Sequence, residues 1–101
     1  QLNSINGDLA DLEEQSQYRN LTATPLGDFI VSDYYHLTRI TNSIQNKEII
    51  SSPIEMDNIK FTTWRESILE FTCDEFCNWD RHLVMIYDSE KNKIEIKNES
   101  N

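Results

Sequence analysis

Leu2, Ile5, Leu9 and Leu12 recur at spacings of three, four and three residues, and only polar or small residues stand between them. That period belongs to one side of a helix. The stripe holds a and d positions alone, which is too narrow for the buried side of a globular helix and has the width of a coiled-coil seam. A single helix cannot bury such a seam, so the spacing predicts a coiled-coil helix over 1–21 that pairs in parallel with a second copy. Leu2, Ile5, Leu9 and Leu12 are then the dimer interface. An ordinary helix packed on its own domain is the alternative, and Gly7 weakens either helix by about 1 kcal/mol. The chain opens inside the pattern, at Gln1 and not at methionine, as expected of the C-terminal piece of a longer protein.

Beyond the seam the pattern broadens. Thr24 and Pro25 suit the cap and first position of a helix, and Leu26, Phe29, Ile30, Tyr34, Leu37, Ile40 and Ile44 follow at helical spacing, which predicts a second helix ending near Asn46. A strand over "DFIVSDYY" is the competing assignment, since Phe, Ile, Val and Tyr favour sheets. "EIISSPIEMDNIKFTTW" reads as two short strands about a turn at Asp57-Asn58, with Pro53 confining the first to an edge. Thr63 and Glu66 stand in the capping-box relation, predicting a third helix from Trp64 to Asn78 with Trp64, Ile68, Phe71, Phe76 and Trp79 on its apolar side. "HLVMIYDSEKNKIEIKN" reads as two alternating strands joined by a polar loop. The predicted class is therefore α+β: a coiled-coil helix, a small domain over 22–98 with two further helices and a short antiparallel sheet, and a polar tail at 99–101.

Composition narrows the function. With 38% hydrophobic residues, two Trp, four Tyr and four Phe, and only two Gly and two Pro, the 101 residues are expected to fold as one modest domain. A formal net charge of −9 repels phosphate backbones and anionic bilayers, which argues against direct nucleic-acid binding. No apolar run approaches the roughly 20 residues of a membrane span, so the chain reads as soluble and cytoplasmic, without membrane insertion. Asn20-Leu21-Thr22 and Asn98-Glu99-Ser100 would be glycosylation acceptors only in a secreted protein.

"CDEFCNWDRH", Cys73 to His82, is the densest run of reactive residue types. Its C-x3-C spacing lacks the second ligand pair of a structural zinc site, with only Asp80 and His82 to complete a set. Asp74 and Glu75 would raise a neighbouring thiol pKa, against redox chemistry. Two buried thiols on one helix face, next to Phe76 and the tryptophans, is the simpler account. His36 is expected as a partly exposed residue beside Tyr35. No phosphate-cradling glycine loop and no facing carboxylate couple is present, so no enzyme, cofactor or metal is expected. Trp64, Tyr34, Tyr35 and Trp79 are either core or interface aromatics.

The residue usage, rich in Asn, Ser, Ile and Glu, together with a lead-in "LNSINGDLADL" before a small C-terminal domain, resembles two fungal groups in outline. One is the C-terminal dimerisation domain of the accessory subunit of the autophagic class III phosphatidylinositol 3-kinase complex. The other is the coiled-coil-plus-RWD kinetochore subunit, which would place consecutive strands between its helices. The first resemblance implies a homodimerising scaffold module, with other regions contacting the lipid-kinase complex. The expected function is thus non-enzymatic assembly within a multi-subunit complex. A kinetochore subunit and a small acidic inhibitor that mimics nucleic acid are the alternatives.

Overall fold

The computed structural model describes residues 18–41 and 46–100. They form eight antiparallel strands in two meanders. The first sheet holds β1 (Asn20–Ala23), β2 (Phe29–Ser32), β3 (Leu37–Ile40) and β4 (Lys47–Ile49). The second holds β5 (Met56–Arg65), β6 (Ile68–Glu75), β7 (Asn78–Asp88) and β8 (Lys93–Ser100). In each sheet the spatial order is the chain order.

No helix occurs among the described residues, which overturns the α+β, coiled-coil class. The seam residues Leu2, Ile5, Leu9 and Leu12 lie outside the described residues. The expected second helix is β2 and β3, paired through Phe29 with Ile40 and Ser32 with Leu37. All four residues of β2 are buried, because the sheet is covered on both faces. A strand buried on both faces shows no alternation and is read as easily as a helix segment. The competing strand assignment over "DFIVSDYY" is the one the fold follows at Phe29–Ser32.

The expected third helix is a hairpin. Thr63 belongs to β5, and Glu66, at φ 57, sits in the turn to β6, so the two do not cap anything. Along β6, Leu69, Phe71 and Cys73 are buried while Ile68, Glu70, Thr72 and Asp74 are only partly so, the period of two that a half-wet sheet imposes. Asp57-Asn58 is not a turn between paired strands. It is an irregularity inside β5, where the register shifts between Asp57 and Lys60 and Asn58 takes φ 52. The last hairpin stands where its alternation places it, with Leu83, Met85, Tyr87 and Ile94 turned inward.

The two sheets share one core. Ile30, Leu37 and Ile50 meet Met56, Ile59, Leu69, Phe71, Cys73, Leu83, Met85, Tyr87 and Ile94 in a single cluster, with Ile54, Phe61 and Trp64 against it. Phe29, Val31 and Ile40 face the other way and pack with Tyr18. Three polar clasps tie the layers. Asn20 Nδ2 donates to Ser32 Oγ at 2.8 Å and to the Ile59 carbonyl at 2.9 Å. Trp64 Nε1 donates to Thr22 Oγ1 at 2.8 Å. Arg39, on β3, donates to Asp28 Oδ2 at 2.6 Å, to Tyr87 Oη at 2.9 Å and to the Ser89 carbonyl at 2.8 Å. Burial alone would disfavour the Arg39 charge, but Asp28 and Tyr87 outweigh it and raise its pKa. The clasps give Asn20-Leu21-Thr22 a structural meaning: Asn20 and Thr22 join the sheets.

Candidate binding groove at the aromatic end

Two connections build the site. The loop from β2 to β3 is held by Asp33, whose Oδ1 accepts the Tyr35 and His36 backbone N–H groups, each at 2.8 Å. This is an Asx-type turn, and it projects Tyr34 and Tyr35 outward. On the other sheet, β6 and β7 are joined by the two residues Phe76 and Cys77, with Cys77 at φ 70. The Phe76 N–H bonds to the Glu55 carbonyl at 2.9 Å, anchoring this turn to the crossover between the sheets.

The result is a chain of rings at one end of the molecule. Tyr34 and Tyr35 lie 6.1 Å apart, Tyr35 and Phe76 5.9 Å, and Phe76 and Trp79 6.0 Å, the last two edge to face. The Arg19 guanidinium sits 4.4 Å from the Tyr34 ring centre, a cation–π contact. Such rings support one another's orientation and yet stay wet: Trp79 is 58% exposed, Tyr35 44%, Tyr34 41% and Phe76 38%. Tyr35 and Phe76 also wall a groove of about 490 Å³, completed by Ile49, Ile50, Ile54 and Met56, with His36, Glu55 and two serines at its margin. That volume is within the ordinary range for a binding pocket.

Tyr34, Tyr35 and Trp79 are thus brought to one exposed end, while Trp64, the fourth candidate interface aromatic, is half-buried against the core. Phe76, expected in the core, is exposed. Ile49 and Ile54 carry no sequence signal for the site, since their place depends on where the chain crosses from one sheet to the other. His36 is exposed beside Tyr35, on a loop and not on a helix.

The "CDEFCNWDRH" run does not converge. Cys73 is buried in the core, Cys77 is exposed at the turn, and Asp80 is exposed on β7. His82 pairs through Nδ1 with Asp74 Oδ1 across β6 and β7, and Asn58 Nδ2 reaches the other Asp74 oxygen at 3.4 Å. This pair edges a smaller cleft of about 240 Å³ on the second sheet. No group of three or more His, Cys, Asp or Glu that could hold a metal ion occurs among the described residues.

Burial first, then Asp74 and Asp57, push the Cys73 thiol from 9.0 up to about 12. At pH 8 its thiolate fraction is about 10⁻⁴, and the thiolate is the reactive form. Iodoacetamide at pH 8 is therefore expected to modify one thiol per native chain, Cys77, and both after denaturation, as read by intact mass. The folded thiol titrates above the unfolded one, so this contribution to stability is complete below pH 9 and is lost as pH rises toward 12.

No protein-family model matches this chain, and neither a curated protein nor a solved structure does.

Proposed function

We propose that the chain is a non-enzymatic interaction module of a multi-subunit protein complex, and that the aromatic end is its docking face. The observation that carries this reading is the row Tyr34, Tyr35, Phe76 and Trp79, left in solvent beside an apolar groove. Large amphipathic aromatics are the residues that dominate interface energetics. They are costly to expose without a use, and contiguous apolar surface on a small domain marks an interaction site. The lining offers aliphatic and aromatic area, with hydroxyls at the margin, and so favours a protein segment over a charged metabolite. The surplus of acidic residues is part of the same reading, because it steers basic partners toward the molecule.

The described fold is all-β, which removes the α+β domain on which the homodimerising-scaffold resemblance rested. The test is photo-cross-linking in cells with p-benzoylphenylalanine at position 79, and at exposed position 90 as control. A discrete protein adduct is expected from position 79 and not from 90. Adding Tyr35→Ser and Phe76→Ser should reduce it about thirtyfold, the loss of a central interface residue, while the melting temperature stays within about 2 °C, as for exposed substitutions. Absence of an adduct at 79, or an adduct indifferent to the two serines, overturns the proposal.

A further inference from the structure

The groove adjoins an open sheet edge. β4 pairs with β3 alone, and no strand lies on its other side among the described residues. The ladder fixes which of its backbone groups face outward. Thr41 N–H donates to the Asn46 carbonyl at 3.0 Å, and Ile50 N–H donates to the Leu37 carbonyl at 2.8 Å. Hydrogen-bonded pairs alternate along an antiparallel ladder, so Arg39 with Glu48 is the hydrogen-bonded pair between them. Lys47 and Ile49 therefore turn their N–H and C=O groups away from β3, toward solvent. All three residues of β4 are exposed, Ile49 to 63%.

The edges differ in what lies beside them. β1 is tied to the second sheet by Asn20 to the Ile59 carbonyl and by Thr22 to Trp64, β5 is broken by two register shifts, and β8 carries Lys93, Glu95 and Lys97. β4 is itself short and carries Lys47 and Glu48, charges that restrain pairing with any strand but a complementary one. Among the described residues β4 is the edge whose outward backbone runs into the apolar groove, because Ile49 ends the strand and both Ile49 and Ile50 are part of the wall. Charge selects the occupant. The chain carries −9 and Glu55 is in the lining, while on the edge strand Glu48, which accepts from Asn92 Nδ2 at 3.0 Å, stands beside Lys47, and Asp80 follows Trp79 in the chain.

Building on the docking reading above, we infer that the partner supplies an extended segment that adds a strand to β4. Its backbone pairs with Lys47 and Ile49, an aliphatic or aromatic side chain enters the groove between Tyr35, Ile49 and Phe76, and flanking Lys or Arg residues meet the acidic rim. Strand addition of this kind draws affinity from main-chain hydrogen bonds and specificity from pockets for alternate side chains.

The probe is a fluorescein-labelled nine-residue peptide that alternates lysine with valine and isoleucine, with two versions N-methylated on one edge or the other, followed by anisotropy. Ile49→Pro removes an outward N–H and no ladder bond, so the domain keeps its fold, which the melting curve checks. The expected result is binding of the parent peptide, a loss of about tenfold or more for one N-methylated version and less than about twofold for the other, and a loss of about tenfold for Ile49→Pro. Tyr35→Ser and Phe76→Ser also weaken binding. If both N-methylated peptides bind like the parent, or Ile49→Pro binds like the wild type, strand addition is overturned. In that outcome the docking reading survives only where Tyr35→Ser and Phe76→Ser still lose affinity. Binding indifferent to all of these substitutions is bare charge attraction and overturns both, and absence of any binding overturns the strand-addition inference alone.

Discussion

Phe71→Ala is expected to lower the unfolding free energy by about 4 kcal/mol, whereas Ile68→Ala, three residues earlier, lowers it by about 1 kcal/mol or less. Phe71 is fully buried at the centre of the shared core, edge to face with Phe61 at 6.5 Å. Its truncation removes a large transfer term and leaves a cavity that neighbours on two sheets cannot close. Ile68 lies at the start of β6, paired with Arg65 and Asp88 on the outer face, and is partly exposed. The contrast separates strand from helix. In the helix predicted over these residues, positions 68 and 71 share a face and both truncations would cost alike. Urea unfolding of the two variants measures the difference, and equal losses would contradict the β6 register.

Arg39→Ala is expected to cost about 3 kcal/mol, which for a domain of this size is a fall of about 15 °C in melting temperature. The guanidinium bridges Asp28, in the β1–β2 loop, to Tyr87 on β7 and the Ser89 carbonyl in the turn after it, and its side chain is only 12% exposed. Removing it leaves the Asp28 carboxylate without its cation and two acceptors without their donor, each in a site that water reaches poorly. Tyr87 keeps one bond, donated to Asn92 Oδ1 at 2.6 Å. Arg39→Lys retains the charge but not the fork that spans both sheets, so it should recover less than half of the loss. A double-mutant cycle with Asp28→Asn is expected to show coupling of about 1–3 kcal/mol. Additive losses would mean that the Asp28 pair contributes nothing and that Arg39 acts through Tyr87, the Ser89 carbonyl and its stem.

The two predictions concern different bonds between the same layers, and both bear on the groove. Its walls come from both sheets: Ile49 from the first, Phe76 and Met56 from the second, and Tyr35 from the β2–β3 loop. The Arg39 clasp holds the layers that carry these walls, while the exposed rings that would meet a partner contribute little to stability. Substitutions at Arg39 should be read for folding first, and substitutions at Tyr35, Phe76 and Trp79 for binding.

Sequence alone determined the last hairpin, while Tyr34, Tyr35 and Trp79, which it left as core or interface, with Tyr34 and Trp79 set on the apolar sides of helices, are exposed. In "HLVMIYDSEKNKIEIKN" one face of each strand is wet, so polar and apolar residues alternate and the period is visible without any knowledge of the rest. The expectation of two buried thiols on one helix face held for the burial of Cys73 alone, because a thiol among aromatics buries readily, whereas Cys77 is exposed at the β6–β7 turn. Tertiary structure decided the remainder. β2 is covered on both faces, so Phe29, Ile30 and Val31 form a run with no period, and the spacing of Leu37 and Ile40 could be joined to it as a helix. Trp64, Ile68, Phe71, Phe76 and Trp79 fell at helical spacing by coincidence of three strands and a turn: Trp64 and Phe71 face the core, Ile68 faces out, and Phe76 and Trp79 stand at the tip. The groove was illegible for the same reason. Its residues are adjacent only because the chain crosses from one sheet to the other between Ile50 and Met56, and a long-range crossing leaves no local pattern in the residues it brings together.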